Sequence, residues 1–393
     1  MKIASQTAQR HYPAIYLSFF SIGMVETLFP RLNWQISMVF ADAYLVRILT
    51  FLGLLLLSFL SVAFGLSGQV KTFSGKIAGG LLTIVPGLLI LLFFGKSVNG
   101  ILFSALFLFS GSLFVQVASL QHIIPGTESK YIFKRIAWLY LLKSAGLAAG
   151  MCVPFMFPSV FQANSTLSIY LPLVFICTAI AMLLIIPLAT PMANVPEQPT
   201  GFSLRAVISD KLLILLAGGL LLYSGAEFCL KDIFPFYFSE TFGLRILQTG
   251  VPGIGLFFLS FLAGRLAWVF LPSGIKPGMV FMLSSLLCIS GIAAIYMGQL
   301  SLSLAATVIT GLGMAGIFPV LLAIMFDRVQ LSARVLAGLM IATIPPGEFF
   351  SSLMWAVTDS ISIAMGFIVP MFCMFFITWI AITLMWQDRE RGM

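Results

Sequence analysis

Long apolar runs separated by short polar stretches set the pattern of this chain. Twelve of them fill a window of about 19 residues, the length at which a helix crosses a bilayer. They cover about 12–34, 45–66, 77–95, 98–120, 136–157, 168–188, 212–237, 251–271, 279–297, 302–326, 335–357 and 361–386. The segments SGQVKTFSGK (67–76) and QHIIPGTESKYIFKR (121–135) are expected to be loops. The longest polar stretch, from Ala189 to Lys211, carries PMANVPEQPTGFS and reads as a linker. The expected fold is an all-α integral membrane protein with twelve transmembrane helices in two pseudo-symmetric six-helix bundles. Residues 1–190 form the first bundle, 191–211 a central cytoplasmic linker and 212–393 the second bundle.

An internal echo supports the six-plus-six division. GLLLLSFL at Gly53–Leu60 matches GLFFLSFL at Gly255–Leu262, an offset of 202 residues. The same offset pairs Gly23 with Gly225 and Gly111 with Gly313. Parallel repeats of this kind are one plan on which secondary transporters are built.

Composition narrows the class. The chain is 60% hydrophobic and 9% charged, too little charge to cover a soluble surface. Its net charge of +8 is accounted for by cytoplasmic loops facing anionic lipid, not by nucleic acid. Lys71, Lys76, Lys130, Lys134, Arg135 and Arg205 all fall on the side shared with the N-terminus, which places both termini in the cytoplasm of a multi-pass inner-membrane protein. The opening MKIASQTAQR and the run after it read as a retained first helix, because no small-residue cleavage site follows. The five cysteines lie in apolar runs without metal-ligand spacing and read as packing residues. No metal or cofactor is expected, and no nucleophile–base set is present that would make the chain an enzyme.

The charges that remain inside the spans are therefore the candidate chemistry. A charge at the centre of a membrane helix costs about 2.5–3.5 kcal/mol on insertion scales. The stretch LLILLAGGLLLYSGAEFCLKDIFPFY, Leu212–Tyr237, carries Glu227, Lys231 and Asp232 within six residues. Glu227 and Lys231 are four apart and can share a face. Glu26, Lys143 and Glu348 are the other deep charges. The helical rise puts Glu26 about 21 Å, Lys143 about 10 Å and Glu348 about 20 Å from the inner surface. Glu348 follows Pro345-Pro346-Gly347, a helix break that frees carbonyls at depth, as binding sites of transporters do. Each charge also has a structural reading, either an approach to headgroups or an ion pair that only holds helices together. The functional assignments are substrate binding or proton coupling for Glu26, Lys143, Glu227 and Glu348, and an outer gate or a local ion pair for Lys231 and Asp232. Polar contacts to a solute are assigned to Tyr223, Gln116, Tyr140, Ser144 and Asn33.

Twelve spans, a central cytoplasmic loop and basic inner loops resemble the major facilitator superfamily over the whole chain. Its signature between helices two and three, Gly-x-x-x-Asp-Arg/Lys-x-Gly-Arg/Lys, is matched only at its end: GLSGQVKTFSGK keeps Gly75 and Lys76 and lacks the acidic residue. The corresponding loop of the second half, GRLAWVFLPSGIKPG, keeps Gly264 and Arg265. KSAGLAAGMCVPF at Lys143–Phe155, YSGAEF, FLAGRL, TGLGMAGIFPVLLAIMF at Thr310–Phe326 and LAGLMIATIPPGEFF are similar to the fucose and hexose proton-symporter branch. The resemblance implies a central cavity lined by helices one, four, seven and ten and flanked by two, five, eight and eleven. Every deep charge named above falls on one of these helices.

The function expected is secondary active transport by alternating access, two halves rocking about a central site. With no nucleotide site, an ion gradient is the energy source, and titratable carboxylates favour protons. The leading case is proton-coupled uptake of a small polar organic solute: a sugar, organic acid, zwitterion or carboxylate siderophore. The alternatives are efflux of a drug-like or metabolite solute, consistent with 38 phenylalanines and 19 methionines, and, in another class, a membrane-embedded receptor or enzyme. The expected partners are the small-molecule solute, the proton as co-substrate and the lipid bilayer; the chain is expected to act as a monomer.

Overall fold

A computed structural model describes residues 2–28, 43–66, 73–95, 97–124, 127–156, 174, 177–181, 209–243, 255–270, 277–329 and 331–390. The elements are α1 (Lys2–Glu26), α2 (Ala43–Leu66), α3 (Phe73–Phe94), α4 (Val98–Ile123), α5 (Ser129–Met156), α6 (Lys211–Phe242), α7 (Leu256–Phe270), α8 (Pro277–Ile295), α9 (Leu300–Arg328) and α10 (Ala333–Ala342). A 3-10 turn, Pro345–Gly347, follows, then α11 (Glu348–Ser360), the single-turn α12 (Ile363–Gly366) and α13 (Ile368–Glu390). All of the regular structure among the described residues is helical, as a bilayer requires of a chain that must satisfy its backbone internally.

Seven helical segments among the described residues are long and apolar enough to span a membrane: Gly75–Phe94, Asn99–Ile123, Lys211–Phe242, Pro277–Ile295, Leu300–Arg328, Val335–Ser360 and Ile363–Gln387. Large apolar side chains point outward along them, among them Leu82, Phe93, Phe372, Trp379 and Trp386. Exposure on this scale suits acyl chains rather than water. The chain is a multi-pass membrane protein.

Local sequence explains several helix ends. Asp210 caps α6, its Oδ1 accepting from the backbone N–H groups of Leu212 (3.0 Å) and Leu213 (3.1 Å). Gly243 closes that helix at φ 66°, a left-handed position that suits glycine. Between these caps α6 runs 32 residues, straight through Pro235.

Two compact units are formed. The first comprises Met1–Thr127, Trp138–Phe202 and Leu331–Ala342; the second comprises Glu128–Ala137, Ser203–Gln330 and Thr343–Met393. In the first unit α3 packs along α4, α4 also meets α1 and α2, and α10 lies against α2 and α4. In the second, α9 packs along α7 and α8, and α6 meets α9, α11 and α13. Small residues let these backbones approach, since lipid supplies no hydrophobic force between helices. A Cβ on Gly111 would press into Gly80 and Ile84 of α3, and one on Gly313 into Ser284 and Cys288 of α8. The two glycines, 202 residues apart, thus serve equivalent helix contacts, one in each unit.

Two expectations change. Helix α1 ends at Glu26; Thr27 and Leu28 form a turn, with their N–H groups on the carbonyls of Met24 and Val25, and the remainder of the expected span, to Trp34, lies outside the described residues. Most of the expected loop 121–135 is helical, because Ile132, Ile136 and Leu139 repeat at helical spacing and bury a stripe while Tyr131 and Lys134 face out. The linker up to Ile208, and most of the sixth expected span, lie outside the described residues.

The glycine contacts are open to direct measurement. Gly313→Leu should destabilise the protein by about 1–3 kcal/mol through overpacking, read as a lower melting temperature in detergent. Gly53→Leu, which meets nothing within 4 Å, should melt with the wild type.

Candidate functional site

A carboxylate at the C-terminus of a helix meets the negative end of the helix dipole. Glu26 is the last residue of α1 and is mostly buried, so it requires a cation. Lys143 of α5 supplies it, with Nζ 2.6 Å from Glu26 Oε1; the lysine and glutamate side chains are 11% and 15% exposed. The crossing that brings them together is made by glycines on both helices. A Cβ on Gly23 would strike the carbonyl of Lys143, and one on Gly146 would strike the carbonyl of Phe20. Lys143 Nζ also donates to Gln116 Oε1 of α4 (3.2 Å), and the Tyr140 hydroxyl donates to the same oxygen (3.4 Å). Gln116 Nε2 is held by the carbonyl of Ser112 (3.3 Å). The ammonium lies 5.6 Å from the centre of the Tyr140 ring, which stacks edge-on against Phe19. Three helices of the first unit thus converge on one polar cluster containing four of the residues singled out from sequence: Glu26, Lys143, Gln116 and Tyr140. Ser144 turns to its own helix and donates to the Tyr140 carbonyl (3.0 Å).

In the second unit, α6 carries a different arrangement on each of two faces. On one face Glu227 and Lys231 form the ion pair that their four-residue spacing anticipates. Lys231 lies 5.7 Å from the centre of the Phe258 ring on α7. Tyr223, one turn before Glu227, is 1% exposed. Its hydroxyl has the Glu227 carboxylate and the Arg265 guanidinium as charged neighbours. Arg265 of α7 is 4% exposed, with its guanidinium 4.2 Å from the centre of the Phe261 ring.

On the other face, Asp232 accepts a hydrogen bond of 2.6 Å from the hydroxyl of Ser351 on α11. Gly225 lies under the Phe350 ring, and Gly347 sits against Ser224 and Gly225. The helix break expected at Pro345-Pro346-Gly347 is present: α10 stops at Ala342 and α11 starts at Glu348. A carbonyl is left over at the break, as such interruptions require. Thr343 O accepts from the hydroxyl of Ser224 (3.3 Å), which also bonds Leu221 O (2.9 Å). Glu348 is half-buried in the first turn of α11, the positive end of that helix dipole.

Asn33 lies outside the described residues. Arg265, Ser351 and Ser224 were not among the site residues singled out from sequence. Arg265 carried one signal, as part of the GRL match in the second half; nothing in the sequence pointed to the serines. No group of three or more metal-ligating side chains occurs among the described residues.

Solved structures of similar architecture are transporters. The E. coli fucose:proton symporter FucP aligns over 95% of this chain and 98% of its own, with a TM-score of 0.69 and 17% identity. The chain has the major facilitator superfamily fold. The human organic anion transporter MFSD10 aligns over 95% of this chain and 99% of its own (TM-score 0.71, 13% identity). A bacterial homologue of the iron transporter ferroportin aligns over 96% and 98% (TM-score 0.71, 13% identity). No family model and no curated protein sequence matches the chain.

The inter-helix pair makes a thermodynamic demand. Removing one partner of a buried pair strands the other charge, at a cost of about 3–5 kcal/mol. Lys143→Ala should therefore melt well below wild type, while adding Glu26→Gln to it should restore a large part of the loss; thermal unfolding in detergent measures both.

Proposed function

We propose that the protein is a secondary active transporter that moves a small polar organic solute across the cytoplasmic membrane by alternating access, with proton-coupled uptake. The observation that carries this reading is the carboxylate–lysine pair buried in each unit, Glu26–Lys143 and Glu227–Lys231. Ionisable groups in membrane helices are expensive and mark ion and substrate pathways. A carboxylate in contact with an ammonium is suited to alternate between two states. Charged, it neutralises the lysine; protonated, it releases the lysine to another acceptor.

In this reading Glu26, Lys143, Glu227 and Glu348 bind solute or carry the proton. Lys231 and Asp232 act at an outer gate, and Gln116, Tyr140, Ser144, Tyr223 and Asn33 supply polar contacts. The full arrangement is twelve spans as two halves, 1–190 and 212–393, joined by a cytoplasmic linker, with both termini in the cytoplasm and the chain acting as a monomer. Likeness of fold to a fucose:proton symporter supports proton coupling, and likeness to an organic anion transporter widens the solute class beyond sugars. Export is the second reading, favoured by the phenylalanine that fills the buried face of α6 and α7, where Phe234, Phe257, Phe258 and Phe261 pack together.

Purified protein in liposomes, with a pH gradient imposed in either sense, tests the proposal. Uptake of a sugar, organic acid, amino acid or carboxylate siderophore should follow the proton inward; flux only against the proton supports export, and no gradient-driven flux of any of them refutes transport. Glu227→Gln should reduce gradient-driven accumulation at least about tenfold, about 1.4 kcal/mol or more of coupling, while sparing solute exchange. Unchanged pH dependence removes Glu227 from the proton pathway.

A further inference from the structure

The two ends of the Glu26–Lys143 pair are unequally supported. Among the described residues, Glu26 has Lys143 as its one polar partner. Lys143 has a second acceptor, Gln116 Oε1 of α4 at 3.2 Å, and the Tyr140 ring at 5.6 Å. An ammonium carries three donors, so it serves a carboxylate and an amide oxygen together. Discharging Glu26 leaves Lys143 with an acceptor, whereas removing Lys143 leaves Glu26 with none among the described residues.

The Gln116 amide is fixed in the orientation this requires. Its Nε2 donates to the Ser112 carbonyl (3.3 Å), a group that only accepts, and its Oε1 faces the Lys143 ammonium, a group that only donates. Those two contacts decide which end of the amide is oxygen. The Tyr140 hydroxyl donates to the same oxygen (3.4 Å). Gln116 and Tyr140 are each 1% exposed, so water is kept from both. Because Ser112 lies on the preceding turn of α4, the amide is held by its own helix, independently of α1. Around Glu26, α5 contributes the ionisable Lys143 and Tyr140, and α4 contributes the neutral Gln116. An amide oxygen does not titrate and accepts at any pH at which the protein is folded.

We propose that Gln116 is a positioning residue of the first unit, the neutral acceptor that keeps hold of Lys143 when Glu26 takes up a proton. A proton from the coupled gradient adds to a carboxylate oxygen of Glu26 and makes a neutral carboxyl. Lys143 keeps its own three protons and stays bonded to Gln116. Without that amide, the same proton takes from a buried ammonium its strongest partner and its neutral one together, which is unfavourable in an apolar interior. Gln116 thus sets how readily Glu26 is discharged, a role apart from any contact with solute. The inference rests on the transporter reading for the use made of the proton, and on the geometry alone for the exchange of partners.

The test is a double-mutant cycle read by thermal unfolding of the purified full-length protein in detergent, with no solute present. Glu26→Gln stands in for the protonated carboxyl. Gln116→Met keeps an unbranched side chain and removes the acceptor. Glu26→Gln alone should lower the Tm by no more than about 2 °C, and in the Gln116→Met background by at least about 4 °C. Gln116→Glu in place of Gln116→Met should recover most of that loss, because a carboxylate then reaches Lys143 from α4. A role confined to packing predicts equal losses in both backgrounds and no recovery; either result overturns the proposal. If Gln116→Met does not fold by itself, Glu26→Gln and Lys143→Ala decide, since the lysine change must then be the more damaging and equal losses overturn the proposal. Additive melting alongside gradient-driven flux sinks this role and keeps the transporter; a coupled cycle without flux of any solute does the reverse.

Discussion

A charge carried into a bilayer has to find its counter-charge inside the protein, and this constraint shapes both polar clusters. Glu26 and Lys143 meet at 2.6 Å, and Glu227 and Lys231 meet along one helix. The costs are large on either insertion or continuum scales, so the groups that bring each pair together are under as much constraint as the charges. Gly23 and Gly146 illustrate this. A side chain at either position would strike the backbone of the facing helix and separate the ammonium from its carboxylate.

Backbone groups obey the same rule. The interruption at Pro345–Gly347 strands a carbonyl, and Ser224 of α6 satisfies the one at Thr343. This couples the shape of the broken helix to α6 only three residues before Glu227. Glu348, at the start of α11, has the positive end of a helix dipole beside it. The half-buried carboxylates Glu26, Glu227 and Glu348 thus have different favourable neighbours: a cation on another helix, a cation on the same helix, and a helix end.

What could be read from the chain follows from how local each interaction is. The Glu227–Lys231 pair and the Pro-Pro-Gly break were legible because spacing and residue type alone determine them. The membrane class was legible from hydropathy, and Gly111 and Gly313, matched by their offset, do perform equivalent contacts. The partnership of Glu26 with Lys143 was not, because it depends on which helices cross and at what height. Arg265 read as part of a loop motif near the end of a span; its burial comes from the packing of α7 against its neighbours, which sequence does not encode locally. The start of α5 was misplaced for a simpler reason. A hydropathy window marks where a helix enters lipid, and an amphipathic turn such as Tyr131–Arg135 continues the helix beyond that point.

The two ion pairs differ in what they hold. Glu227 and Lys231 belong to one helix, so discharging Glu227 leaves the backbone of α6 where it was and changes only the electrostatics that its neighbours feel. Glu26 and Lys143 belong to α1 and α5, and Lys143 also reaches Gln116 on α4, so discharging Glu26 removes a tie between helices. The glycine crossing retains the contact between α1 and α5 by van der Waals packing alone, which has no preferred register once the ion pair is gone. Loss of the Glu26–Lys143 pair therefore loosens a contact between helices, whereas loss of the Glu227–Lys231 pair alters the charge presented to Tyr223 and Arg265. The pair in the first unit ties helices together, and the pair in the second sets the charge along one face of a single helix.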